Sequence, residues 1–248
     1  MTRGKLIVIE GSDGSGKQTQ TQRLVERLRT QGKTVGTFSF PNYEGPYGAE
    51  VRAYLGGKFG DFSLFDQALA TEGLPEHVMQ ALRIGRRGHT YFASSLYLMD
   101  RWHRLPDLQL ALDTQNFVVS DRYDFSNWGH QAPKLSPGEG DELIAWLRRF
   151  ERDVNGIPKP DFIFYLDLPP EHAQRAMVDR RTTARALAGR RATDIHEGNV
   201  PYLERVRQQY IRLADTEGWT LIDCLDDNHQ RKTVDTVADE IWSHLQIN

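Results

Sequence analysis

The chain has 248 residues, 39% of them apolar and 26% charged, enough for one large α/β domain or two small ones with a full core. A formal net charge of −3 removes any overall electrostatic drive toward nucleic acid, and no stretch approaches the ~18 apolar residues of a membrane-spanning helix, so partners must be sought at individual sites. Cys224 is the only cysteine, which excludes an intrachain disulfide; with no apolar signal core at the N-terminus, the chain is expected in the cytoplasm.

In chain order, Leu6, Ile7, Val8 and Ile9 predict a short buried strand that runs into the turn Gly11-Ser12-Asp13-Gly14-Ser15-Gly16-Lys17. Its glycines permit positive φ and leave no Cβ in the way, so successive N–H groups can converge on a polyphosphate. Lys17 adds a positive charge there, and the helix starting near Gly16 aims the positive end of its dipole at the same place. A strand, the spacing Gly11-x4-Gly16-Lys17 and a helix start together make a P-loop pattern, with Ser12, Asp13, Gly14, Ser15, Gly16, Lys17, Gln18 and Thr19 as the candidate triphosphate site. One position departs from it. Where a Ser or Thr hydroxyl normally meets Mg²⁺, the chain has Gln18 followed by Thr19, and the Gln18 carbonyl oxygen is a hard ligand that can reach the ion directly or through a water.

An amphipathic helix follows at Thr19–Thr30, with Leu24, Val25 and Leu28 on one face. Further strands are predicted at Thr34–Phe40, Phe117–Ser120, Phe162–Leu166 and Thr220–Cys224, and a second amphipathic helix at Asp141–Val154. Residues 56–90 mix Phe, Leu, Gly and Arg without a clean period and predict an extra helix or two on the rim. Pro169-Pro170-Glu171 suits a turn into a helix, and Cys224 suits a small buried filler. Strands alternating with helices imply a doubly wound parallel sheet whose ligands sit at the carboxyl ends of the strands. Gly11–Lys17, Pro41–Tyr43, Asp121–Tyr123 and Leu168–Pro170 then share one rim.

Several side chains on that rim carry chemistry. Asp121 closes a strand facing the P-loop, where a carboxylate can hold Mg²⁺ or one of its waters, or can cap a turn. Arg122 can fork onto a phosphate with two parallel hydrogen bonds. Tyr97 and Arg101, spaced i, i+4, share a helix face and can stack and hydrogen-bond a pyrimidine; the alternative is a core Tyr beside an exposed Arg. Arg180, Arg181, Arg185, Arg190 and Arg191 lie among small residues, which composition alone reads as a solvated basic segment or a nucleic-acid contact. Beside a P-loop, the same segment reads as a lid that delivers guanidinium groups.

Five separated motifs resemble the thymidylate kinase family, whose members transfer the γ-phosphoryl group of ATP to dTMP. They are the Gly11–Lys17 turn, Phe40-Pro41-Asn42-Tyr43, Asp100-Arg101, Asp121-Arg122-Tyr123-x-x-Ser126-Asn127 with Gln131 beyond it, and Asp194-Ile195-His196-Glu197. The resemblance runs from end to end, with residues 56–90 expanded. It implies a single P-loop kinase domain over 1–248, a five-stranded parallel sheet, a mobile lid at about 180–194, Mg²⁺ as cofactor and ATP as donor. The implied partners are ATP, dTMP and a second copy of the chain, with no nucleic acid and no membrane. By the same resemblance Asp13 binds the acceptor's 3′-hydroxyl, Arg122 its phosphate, Tyr97 stacks on thymine and Arg101 reads O4. Ser126, Asn127 and Gln131 complete the polar edge, and Phe40 and Glu197 border the acceptor. Tyr43 stands where many relatives carry an arginine, and Arg52 is a candidate replacement. Some relatives carry a basic residue in the P-loop after the aspartate; here that position is Gly14, so Arg185 or Arg190 of the lid is expected to supply the catalytic charge. The alternatives are another nucleoside or nucleoside monophosphate kinase, and a catalytically weakened nucleotide-binding module.

Overall fold

The computed structural model describes residues 3–60, 63–174 and 199–245. Its strands are β1 (Lys5–Gly11), β2 (Val35–Ser39), β3 (Phe117–Asp121), β4 (Phe162–Asp167) and β5 (Thr220–Asp223). The helices are α1 (Lys17–Thr30), α2 (Gly48–Leu55), α3 (Ser63–Leu69), α4 (Glu76–His103), α5 (Leu105–Thr114), α6 (Asp124–Gln131) and α7 (Pro137–Arg148). After β4 come α8, helical over 170–174, then α9 (Val200–Glu217) and α10 (Val234–Ser243).

All five strands are parallel, in the order β2-β3-β1-β4-β5. β1 is central because it is apolar on both faces: Leu6, Ile7, Val8 and Ile9 are all fully buried, as a strand covered by helices on each side requires. One face packs Ile7, Ile9, Val119 and Leu166 against Leu24, Val25 and Leu28 of α1 and Val237 and Ile241 of α10. The other packs Leu6, Val8 and Val118 against Leu108 and Leu112 of α5, while Tyr165 meets Trp128 of α6, Leu143 of α7 and Tyr210 of α9. Pairing of Ile9 with Asp121, Ser39 with Asp121 and Gly11 with Leu166 brings the carboxyl ends of four strands level, which assembles the rim read from the sequence.

Two elements differ from expectation in extent. α7 begins at Pro137, four residues early, because Ser136 and Glu139 close a capping box across its first turn. The far end of the same predicted helix, Arg149–Val154, is a π-helical turn, and it buries Glu151 beneath α4. Within 56–90 the extra helices are α3 and the first half of α4, which runs unbroken to His103 and so carries Tyr97 and Arg101 on one element. Arg86 of α4 pairs with Asp66 of α3 at 3.2 Å. Cys224 is buried, and desolvation pushes its thiol up to about 12, consistent with a packing role. Among the described residues no helix is long and apolar enough to cross a membrane.

Candidate active site

The P-loop turn requires its glycines. Gly16 caps α1 in a left-handed conformation (φ 101°), and Gly14 has φ 90° with so little room that a Cβ built there would lie 2.6 Å from the carbonyl oxygen of Ala173 in α8. The turn forms one wall of a cavity of about 500 Å³ at the carboxyl ends of the strands. Ser12, Asp13, Gly14, Gly16, Lys17, Gln18, Phe40, Tyr43, Tyr97, Arg101, Asp121, Arg122, Ser126, Asn127 and Gln131 all line it. Ser15, Thr19 and Arg52 do not line it; Arg185, Arg190 and Glu197, with the rest of the predicted lid, lie outside the described residues.

At one end three charges meet. Arg122 Nη2 donates to Asp13 Oδ1 at 2.5 Å, and Lys17 Nζ donates to the same oxygen at 3.2 Å and to the Ser12 carbonyl at 3.0 Å. Desolvation pushes the Asp13 carboxyl up, but Lys17 and Arg122 outweigh it and hold the group well below the usual carboxylate range. Desolvation, then Arg122, lower the Lys17 ammonium, against support from Asp13 and Asp121. His130 is brought down to about 3 by desolvation and then by Arg122, so it is neutral near pH 7. Its Nε2 lies 3.3 Å from Arg122 Nη1, a group that can only donate, which assigns the ring proton to Nδ1.

Arg122 itself has φ 66°, a left-handed residue at the end of β3. Its N–H donates to Ile9 O at 3.0 Å, and the next N–H, of Tyr123, donates to Glu10 Oε1 at 2.9 Å. Glu10 is fully buried, and desolvation raises its carboxyl. It also accepts from Ser126 Oγ at 2.7 Å and Tyr210 Oη at 3.2 Å. This carboxylate is the hub that fixes the turn presenting Arg122. The sequence offered a signal for it, a lone acid in an otherwise apolar strand. Beside it, Asp121 lines the cavity and its Oδ1 is buried with no hydrogen-bond partner.

Three expectations need correction in detail. Ser126, expected on the thymine edge, has its hydroxyl engaged by Glu10 and by Arg122 Nη1 at 3.2 Å, and so sits with the Arg122 and Asp13 charges. Arg101 is not the exposed surface residue of the alternative reading, and it lines the cavity. It is buried and gives Nε (2.7 Å) and Nη2 to Glu151, the carboxylate that the π-helical turn brings beneath it. Arg52 is exposed and donates Nη2 to the Tyr43 carbonyl with its guanidinium 5.4 Å from the Tyr43 ring, so it braces the Phe40–Tyr43 loop instead of lining the cavity.

Away from these charges the cavity is lined by amides and rings, with the Glu151-paired Arg101 one turn from Tyr97. Tyr97 meets Tyr54 of α2 edge-on at 6.2 Å. Asn127 Nδ2 donates to Ser94 O at 3.0 Å, leaving Oδ1 buried and unpartnered, and Gln131 Oε1 accepts from Lys134 Nζ at 2.9 Å. His130, Lys134, Glu10 and Arg207 were not singled out from the sequence. Arg207 of α9 lines the cavity while gripping Asp167 at the end of β4 with two hydrogen bonds, 2.7 and 2.8 Å, a pairing of residues 40 apart that no local pattern displays.

Comparison with known proteins bears on family and fold. A thymidylate kinase family profile matches residues 9–71 and 75–233. Thymidylate kinase of Mycobacterium tuberculosis is 29% identical over 216 residues, covering 86% of this chain and 87% of that protein. A probable thymidylate kinase of Natronomonas pharaonis is 30% identical over 212 residues, covering 86% and 84%. Among solved structures, thymidylate kinase from Candida albicans superposes with a TM-score of 0.65 at 22% identity, over 98% of this chain and 92% of that one, which supports the fold.

Proposed function

This chain belongs to the thymidylate kinase family, and from that premise we propose that it transfers the γ-phosphoryl group of ATP to dTMP, giving ADP and dTDP. The observation that carries the reading is the shared Asp13 oxygen: two cations converge on one carboxylate at the wall where two anionic nucleotides would meet. Lys17 and the P-loop amides suit the donor's outer phosphates. Arg122 is already forked, and an entering acceptor phosphate can take its Nη2 from Asp13; the released carboxylate is then free to accept the sugar 3′-hydroxyl, the role that the family resemblance gives it. Asn127 offers the unpartnered Oδ1 as acceptor for the N3–H of thymine, with Tyr97 beside it as a stacking surface.

The residues present fit Mg²⁺. Asp121 supplies a buried, unpartnered carboxylate oxygen, and Gln18 lines the same cavity with a carbonyl oxygen able to act directly or through a water. When bound, the ion would neutralise the outer phosphates of ATP. We further propose a single domain with a lid at 180–194 from which Arg185 or Arg190 reaches the transferring group, and Glu197 beside the acceptor. A cytoplasmic homodimer is part of the same reading; Ile84, Phe92 and Trp102 of α4 leave apolar surface exposed for a second copy.

The test is a comparison of acceptors with ATP and Mg²⁺, following dTDP and ADP by ion-exchange chromatography. dTMP is expected to be the better substrate, and faster phosphorylation of thymidine than of dTMP would overturn the assignment.

A further inference from the structure

Lys134 follows α6 in a short 3₁₀ turn and is fully buried. Its Nζ donates to Tyr54 Oη at 2.6 Å and to Gln131 Oε1 at 2.9 Å, and lies 5.2 Å from the centre of the Tyr54 ring and 5.9 Å from that of Tyr202. Lys134 does not line the cavity, but Gln131 does. We propose that Lys134 is a positioning residue for base selection: it locks the Gln131 side-chain amide with its nitrogen toward the cavity, so that the site fits an imide-type pyrimidine and opposes an aminopyrimidine. The inference rests on the proposed binding of dTMP in this cavity and deepens it.

An ammonium has donors and no acceptor, and a buried one needs oxygen partners. The end of Gln131 that faces Lys134 is therefore the carbonyl, and a flip of the amide would set N–H against N–H. Asn127 is locked in the opposite sense. Its Nδ2 gives a hydrogen to the Ser94 carbonyl, which can only accept, so Oδ1 points away and stays unpartnered. Asn127 and Gln131 are i, i+4 on α6 and share a face. The cavity wall thus shows one acceptor and one donor side by side. Thymine and uracil offer the complement, an N3–H donor next to a carbonyl acceptor. Cytosine offers the reverse at both positions, an N3 acceptor next to an amino donor, so each of the two contacts becomes a mismatch.

The test is kcat/KM for dTMP and for dCMP in the full-length protein, in the unsubstituted chain, Lys134→Met, Gln131→Leu and the double variant, with thermal melting of each. Lys134→Met is expected to lower kcat/KM for dTMP about tenfold or more while dCMP changes little, compressing the dTMP:dCMP ratio, and to add nothing in the Gln131→Leu background. Should Lys134→Met not fold, Lys134→Gln, which keeps a polar partner for Tyr54 but can donate or accept, must compress the ratio in the same way. Equal losses for both acceptors, or an undiminished effect in the Gln131→Leu background, would show a merely structural lysine and overturn the inference alone. If the unsubstituted protein does not phosphorylate dTMP, the proposed reaction fails and this inference fails with it.

Discussion

At the proposed phosphate end of the cavity, Lys17, Asp13 and Arg122 are held by one another in ion pairs; at the proposed base end, Asn127 and Gln131 are each anchored from behind, by Ser94 and by Lys134. The first arrangement trades partners on binding and is forgiving of geometry, because charges act over distance. The second cannot rearrange without leaving a buried polar group unpaired, so it selects by direction. Affinity and turnover should depend mainly on the one, discrimination on the other.

Substitutions ranked by size can break that contrast. Lys17→Ala should lower turnover about 10³-fold or more while the circular-dichroism melt stays near that of the unsubstituted chain; undiminished ATP consumption would remove the phosphate end from the chemistry. Arg122→Lys keeps the charge but loses the planar fork, and about a 10²-fold fall in kcat/KM for dTMP is expected in the same steady-state assay. Asn127→Leu should cost dTMP about tenfold in kcat/KM with the KM for ATP unchanged, and a matching change in both would deny the separation of the two ends.

The smallest effect is on stability. His130 titrates at about 3 in the folded chain against an ordinary 6.5, so between those values the unfolded chain binds the extra proton. The associated stability is fully present above pH 6.5 and declines as pH falls toward 3. His130→Gln should flatten the dependence of melting temperature on pH across that window, and an unchanged slope would mean that the imidazole is not kept neutral by its surroundings.

The strands were legible because each is a short apolar run bounded by turn residues, and the P-loop was legible because its glycines and lysine are contiguous. Helix ends were less so. The start of α7 depends on the capping pair Ser136 and Glu139, which lies outside the amphipathic period that predicts a helix from Asp141. What local pattern could not carry was who holds whom. Glu151 belongs to Arg101 only because a π-helical turn swings it under a helix 50 residues earlier, and Lys134 reaches Tyr54 across 80 residues. Such pairings decide which donors remain open to a ligand: of the three nitrogens of Arg101, Nε and Nη2 are taken by Glu151.

Gly14 has a further consequence. With φ 90° and the Ala173 carbonyl 2.6 Å from where a Cβ would sit, the position admits no side chain unless α8 moves away from the loop. The basic P-loop residue of some relatives is therefore not one mutation away for this chain: a Gly14→Arg change would meet a structural dead end before any catalytic benefit could be selected. On the proposed mechanism the further charge then comes from outside the loop, and exchanging one arrangement for the other requires the loop and the helix behind it to change together.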